Sequence, residues 1–287
     1  MSRTLFLYYS QTGQSAEAIE TLARSFQPDC DIVRFECEET FNFPWSMSGF
    51  FRAFPRCVRG LAPRTKPTGV DWEKYDLIVL GYQVWFLSPS LPFQGFLKSP
   101  EAHGLRGKKV VTVLTCRNLW YSASKTVRGA LIKLGAEFLG QVTICELSPL
   151  WASFVTTPRW MLTGRKNAFS FFPPAGIQAA DFTALAAVGR QLHRSWSESH
   201  GQTIERELLK SNLDRVSLRL MDRIGNRFFR AWAPAILALA PRPGPWQDIL
   251  LILFRLNLIA LIVSVGPCTK IIELLVGNDS KLFQHHA

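Results

Sequence analysis

Short apolar runs recur through the first half of the chain, each followed by a stretch with helical spacing. The first run is Leu5 to Tyr9. After it, Ala16, Ile19, Ala23 and Phe26 share one helical face, with Glu17, Glu20 and Arg24 elsewhere. Asp31 to Phe35 reads as a second strand. Asp76 to Gly81 is continuous enough to be a buried parallel strand. Val110 to Thr115 and Phe138 to Cys145 read as the fourth and fifth. Helices are expected from about Phe93, from Ser122 to Leu134 with Gly135 as the stop, and from Phe182 to Trp196. This alternation predicts an α/β fold: a doubly wound, five-stranded parallel sheet in the order 2-1-3-4-5. Ligands of such sheets bind beyond the carboxyl ends of the strands, at the switch between strands 1 and 3. The loops 10–15, 82–92 and 115–121 would meet there.

Three regions break the rhythm. Residues 41–67 are rich in aromatics, prolines and arginines, with Phe50, Phe51, Phe54 and Val58 on one helical side and Arg52, Arg56 and Arg59 between them. This insert is either a surface helix over a sheet edge or a lid with cationic guards over an apolar ligand. From Leu147 the pattern gives way to a polar and aromatic stretch, Trp151 to Pro174. Past a boundary near Ser197–Gln202, Ile204, Leu208, Leu209, Leu213, Val216, Leu220 and Ile224 form a stripe beside Arg206, Lys210, Arg215, Arg219, Arg223 and Arg227. Ala231 to Ala240, a Pro/Gly break at 241–245, and the almost wholly apolar run Ile249 to Val265 follow. The expected organisation is a sheet domain, 1–200, and a basic and apolar helical extension, 201–287.

A spanning helix needs roughly 20 apolar residues, so the last run is marginal. Arg255 near its middle would cost on the order of 2.5–3.5 kcal/mol in a bilayer centre. Contact with a membrane face, or burial in a dimer or against the sheet domain, is therefore favoured over a span. The formal net charge of +11 fits anionic lipid or acidic small molecules, while no nucleic-acid module is visible and no nucleic-acid partner is expected. The six cysteines show no CxxC and read as reduced cytosolic thiols. The five histidines do not pair with them at metal spacing, so no metal site is expected.

The chemistry centres on Ser10-Gln11-Thr12-Gly13-Gln14-Ser15. Strand, tight turn and helix place hydroxyls and bare N–H groups at the positive end of a helix dipole, a site for a phosphate dianion. Three hydroxyls without a lysine suit a monophosphate, and the Gly-Lys-Ser/Thr of a Walker loop is absent. An ordinary capped βα turn is the plainer alternative. The pattern Ser-x-Thr-Gly-x-Ser after a first strand resembles the FMN phosphate loop of flavodoxin-like proteins. The later run Trp85…Pro89…Pro92…Phe96-Leu97 resembles flavodoxin-like oxidoreductases. The resemblance implies FMN as cofactor, with Tyr82, Gln83, Val84 and Trp85 beside its ring and Thr115, Cys116, Arg117 and Asn118 along its pyrimidine edge. The loop at 115–118 lacks the glycines of simpler flavodoxins.

Arg117-Asn118-Leu119-Trp120, Thr157-Pro158-Arg159-Trp160, Gly164-Arg165-Lys166 and the long extension resemble the dialkylresorcinol condensing enzyme/aromatase group of dialkylresorcinol and aryl polyene biosynthesis. That implies oxidation of a dialkyl cyclohexanedione to a resorcinol by hydride transfer to the flavin. Arg117 or Arg159 would bind enolate oxygens, and Tyr121 or Tyr9 would relay the proton. With no Asp or Glu in the candidate loops, carboxylate base catalysis is not expected; His103 precedes strand 4, at the wrong end of the sheet. The expected partners are an apolar small-molecule substrate, a membrane surface met by the C-terminal helices, a ketosynthase of the same pathway and a second copy of the chain. The expected location is cytoplasmic, peripheral at the inner face of the membrane. An NAD(P)H-dependent quinone reductase, an electron carrier and a flavin-free, membrane-bound scaffold are the alternatives.

Overall fold

The computed structural model describes residues 3–146, 148, 150–199, 202–204 and 215–276, with 150–151 and 266–276 by backbone alone. The stripe residues Leu208, Leu209 and Leu213, with Arg206 and Lys210, lie outside the described residues. Strands β1 (Thr4–Tyr8), β2 (Cys30–Arg34), β3 (Leu77–Trp85), β4 (Lys109–Cys116) and β5 (Glu137–Cys145) form a parallel sheet in the order β2-β1-β3-β4-β5. This is the flavodoxin-like, doubly wound order that the alternation of elements predicts.

Successive strand side chains point to opposite faces, and both faces are covered. Leu5, Leu7, Ile78, Leu80, Val110 and Leu114 pack on α3 (Leu91–Lys98) and α4 (Tyr121–Lys133). Phe6, Tyr8, Leu77, Val79, Val111 and Val113 pack under α1 (Gln14–Ala23) and α6 (Ala179–Glu198). At Gly81 a Cβ would lie 2.7 Å from Tyr8 Cβ and 2.8 Å from Ile19 Cγ1. Only a bare backbone lets α1 press this closely on the sheet beside its carboxyl edge.

The irregular regions depart from expectation in instructive ways. β3 does not stop at Gly81 but runs to Trp85, then reverses at Phe86-Leu87 so that Ser88–Pro89 pairs antiparallel with Val84 and Trp85. Phe86 and Leu87 both have positive φ, 50° and 57°, a strained choice for bulky residues. Packing on neighbouring helices holds it: Phe86 against Phe50 and Phe54, Leu87 inside the C-terminal apolar cluster. The stretch after Leu147 is not irregular either. It contains α5 (Leu150–Thr163), whose buried positions Ala152, Thr156 and Trp160 recur every four residues. Threonine on that inner stripe and Pro158 inside the helix hide the period from a polarity count.

The insert is neither a free surface helix nor a guarded lid. Helix α2 (Met47–Arg59), capped by Ser46 Oγ, which accepts from Gly49 N at 3.0 Å, lies between the sheet body and two long C-terminal helices. These are α7 (Val216–Leu239), one continuous helix through Pro234, and α8 (Pro245–Val276). Phe54 is fully buried, stacked on Phe254 at 4.0 Å and edge-on to Phe229 at 5.2 Å. Two of the three arginines expected as guards are paired, Arg52 with Asp248 of α8 at 2.7 Å and Arg56 with Glu39 at 2.6 Å, while Arg59 is exposed.

Burial of the last apolar run against the body holds only for a narrow stripe. Leu251 and Phe254 are covered, whereas Trp246, Ile249, Ile252, Leu253, Leu256, Ile259 and Val263 are exposed. Residues Pro245–Val265 are long and apolar enough to cross a membrane, with a mean hydropathy of 2.3 and 11% burial. Arg255 turns its guanidinium towards the body, 5.0 Å from the Phe51 ring.

Candidate functional site

The three expected loops converge at the carboxyl edge of the sheet. Ser15 Oγ lies 2.6 Å from Thr115 Oγ1 and 3.5 Å from Gln83 Oε1, joining the start of α1 to the ends of β4 and β3. Gly13, at φ +90°, is the last residue before α1 and turns the chain into the helix. The first N–H groups of a helix lack intrahelical partners, so this turn presents donors outward. Gln11 Nε2 donates to the carbonyls of Phe41 and Asn42 at 3.3 and 3.2 Å, tying the loop to the aromatic insert. Arg34 Nη2 donates to Ser10 O at 2.9 Å.

Within this loop the roles divide. Ser10 Oγ is buried and has no partner among the described residues, and Thr12 is half-buried at the rim. The Ser15 hydroxyl, expected to face an anion, is instead committed to Thr115 inside the edge. Gln14 Nε2 donates to Ile177 O at 2.9 Å, and a Cβ on Gly176 would meet the Gln14 amide at 2.8 Å. Gln14 is therefore a brace for the strap at 175–177.

The ring-side residues divide in the same way. Tyr82 is a correction: its side chain is fully buried, stacked on Phe93 at 4.8 Å, with its hydroxyl donating to Gln141 Oε1 at 2.8 Å. β3 continues through position 82, so the strand alternation turns this ring into the core. Val84 is half-buried in the hairpin. Trp85 forms an aromatic wall with Phe41 at 5.2 Å and Trp45 at 5.3 Å. Gln83 Nε2, Ser90 Oγ and Asn118 Oδ1 are buried and unpartnered among the described residues.

The three expected catalytic residues are held by different partners. Arg117 is half-buried, its guanidinium 4.4 Å over the Phe154 ring and donating to Ser153 O at 3.3 Å; burial lowers its pKa to about 10. Tyr121 stacks on Trp120 at 4.2 Å, and its hydroxyl accepts from Arg215 N at 3.1 Å. Arg159 donates to the carbonyls of Arg165 and Asn167 at 3.2 and 2.9 Å, which closes its own loop. Of the three, Arg117 alone stands in the 115–118 segment. Tyr9, the alternative relay, is buried, and burial pushes its phenol up to about 12. His103 is exposed and bonds to Pro100 O.

The candidate loops themselves hold no Asp or Glu, but two buried carboxylates from outside them pack alongside. Glu146 directly follows β5, and its N–H donates to Cys116 O at 3.2 Å. Its Oε2 accepts from Gly176 N at 3.0 Å and from Thr157 Oγ1 at 3.3 Å, while Oε1 has no partner among the described residues. Burial raises its pKa; the charge of Arg117 opposes that rise. Asp222 of α7 accepts from the N–H of Ser122 at 3.0 Å and from the Ser122 hydroxyl, and burial raises it to about 6. A lone acid just past the last apolar residue of a strand was the available signal for Glu146. Asp222 gave none, because only long-range packing brings α7 to α4. Among the described residues, no cluster of His, Cys, Asp and Glu is arranged to hold a metal.

Solved structures similar to this chain include flavoproteins. A flavoprotein in complex with FMN from Lactobacillus acidophilus NCFM is 21% identical, with a TM-score of 0.43 over 50% of this chain and 93% of that one. A flavodoxin, WrbA-like protein from Agrobacterium tumefaciens is 12% identical, with a TM-score of 0.38 over 69% and 99%. A flavodoxin from the domain Archaea is 9% identical, with a TM-score of 0.38 over 67% and 96%. No family model matches the chain, and no curated protein matches it.

Proposed function

We propose that this chain is an FMN-dependent oxidoreductase acting on an apolar cyclic ketone or quinone, and in its sharpest form an aromatase that converts a dialkyl cyclohexanedione to a dialkylresorcinol. The observation that carries the reading is the set of buried, unpartnered polar atoms at the switch between β1 and β3. Buried polar groups are nearly always paired, so Ser10 Oγ, Gln83 Nε2 and Asn118 Oδ1 together point to a polar ligand. The donors suit FMN: a hydroxyl, helix N–H groups and no lysine for a phosphate, and side-chain amides for a ring edge.

When bound, FMN supplies the hydride acceptor, and the rest of the work falls to the protein. Arg117 remains a cation at neutral pH and offsets negative charge developing on a substrate oxygen. Glu146 has one oxygen fixed by Gly176 and Thr157 and the other free to take a proton from carbon, and its burial raises its proton affinity. The Phe41–Trp45–Trp85 wall supplies an apolar, water-excluding surface for a ring. Tyr121 and Arg159 take structural roles in this scheme.

The test is a visible spectrum and a calorimetric titration with FMN, then anaerobic incubation with a dialkyl cyclohexanedione. A colourless protein that ignores FMN overturns the cofactor assignment and favours the scaffold reading. Flavin binding without resorcinol formation, but with rapid NAD(P)H consumption in the presence of a quinone, favours the quinone reductase instead. A ketosynthase is a proposed partner on the resemblance alone, and a second copy of the chain on the apolar run Ile249 to Val265. For location, the exposed apolar face of α8 and the exposed Arg223, Arg227 and Arg230 of α7 support contact with an anionic membrane surface.

A further inference from the structure

The sequence offers no paired cysteine motif, yet the fold makes a pair. Cys116 ends β4, Cys145 ends β5, and the two are register partners. Their Sγ atoms are 2.9 Å apart. Neighbouring strands lie about 4.7–4.9 Å apart, inside the Cα separation of about 4.4–6.8 Å that a disulfide spans, so side-chain rotation suffices to join them. The other described thiols are engaged elsewhere. Cys30 Sγ donates to Ala23 O, and Cys57 Sγ to the carbonyls of Trp85 and Pro89. Cys37 is buried on the β2 side.

We propose that Cys116 and Cys145 form a reversible dithiol–disulfide couple in the floor of the site, oxidised by a small-molecule disulfide of the glutathione class. Cys116 is half-buried at the edge of the sheet, whereas Cys145 is buried, so Cys116 is the more exposed of the two. The Cys116 thiol loses its proton and its sulfur attacks one sulfur of glutathione disulfide, releasing one glutathione thiolate. The Cys145 thiol loses its proton and displaces the second glutathione from the mixed disulfide. Two protein S–H bonds and one S–S bond break, one protein S–S bond forms, and the two protons end on two glutathione thiols. Two electrons pass from the protein to the glutathione pool. Burial raises the Cys116 pKa and keeps the thiolate scarce, so exchange is slow and the couple resists brief oxidation. Arg117 and Glu146 are the next residues after the two cysteines, so closing the bond acts directly beneath the two charged groups of the site. The couple does not depend on FMN.

The test uses the full chain equilibrated overnight in glutathione buffers from fully reduced to fully oxidised. It is then acid-quenched, alkylated under denaturing conditions and mapped by peptide mass. Cys116 and Cys145 are expected to lose alkylation together, with the loss of two hydrogens in mass and recovery in dithiothreitol, while Cys30, Cys37 and Cys57 stay alkylated. In Cys145→Ser, Cys116 is expected to accumulate as its glutathione mixed disulfide. Full alkylation of both residues at every ratio overturns the proposal, as does a Cys116 mixed disulfide that persists in the wild type. Because the wild-type map alone decides between these outcomes, a variant that fails to fold does not shield the idea.

Discussion

The sheet body and the C-terminal helix pair solve opposite problems. The body buries its apolar side chains on both faces of the sheet and, among the described residues, leaves polar atoms unpaired at the carboxyl edge: Ser10 Oγ, Gln83 Nε2, Asn118 Oδ1 and Glu146 Oε1. The helix pair ties two of its carboxylates to neighbouring helices, Asp248 to Arg52 and one oxygen of Asp222 to Ser122, and leaves most of its apolar side chains outside. A missing polar partner and a missing apolar one are different deficits. The first calls for a small ligand with donors and acceptors, the second for a lipid phase or an apolar protein surface.

The contrast breaks most visibly where the two regions meet. Phe54→Ala removes the ring clasped by Phe86, Phe229 and Phe254. It is expected to cost about 3–5 kcal/mol and to uncouple the helix pair from the body. Denaturant unfolding should split into two transitions, and proteolysis should release 216–276 first. A single cooperative transition at unchanged denaturant would mean the two regions do not depend on this contact.

Asp222 tests the same junction through pH. Its carboxyl is raised from its ordinary 3.8 to about 6, so the folded state favours the protonated form. The stability it contributes is complete below about 3.8 and is lost as pH rises through about 6, on the order of 2–3 kcal/mol in all. Thermal unfolding of wild type minus Asp222→Asn should fall across that window and flatten above it. Parallel curves would remove Asp222 from the account.

On the polar side, Glu146→Gln should lower turnover about 100-fold or more while leaving FMN affinity within experimental error. Unchanged turnover would return proton transfer to another group. On the apolar side, Ile259→Asp should weaken flotation with phosphatidylglycerol-containing vesicles about tenfold, from the loss of one inserted side chain. Equal flotation of both proteins would favour a protein surface as the cover for α8. The smallest effect belongs to Arg52→Ala, whose ion pair with Asp248 is more than one-third exposed on both sides. It should cost under about 1 kcal/mol, with a correspondingly small change in the urea midpoint.

Much of this was already written in the order of residues. Short continuous apolar runs separated by helical stripes pointed to the sheet order, because right-handed crossovers leave few alternatives. The same order brought the loops at 10–15, 82–92 and 115–121 to one edge, which the Ser15–Thr115 contact realises at 2.6 Å. What lay beyond the pattern depended on distance along the chain. α5 was hidden because its inner face uses threonine, and Tyr82 changed from loop to core because β3 ran four residues further. Glu146 became part of the site, Cys145 met Cys116, and Asp222 capped α4 only after strands and helices far apart in sequence had packed. Local periodicity is set by short-range sterics and solvent preference, so the chain carries it openly. Which charge meets which, and which apolar face stays uncovered, is decided by long-range packing, and only the tertiary structure holds that.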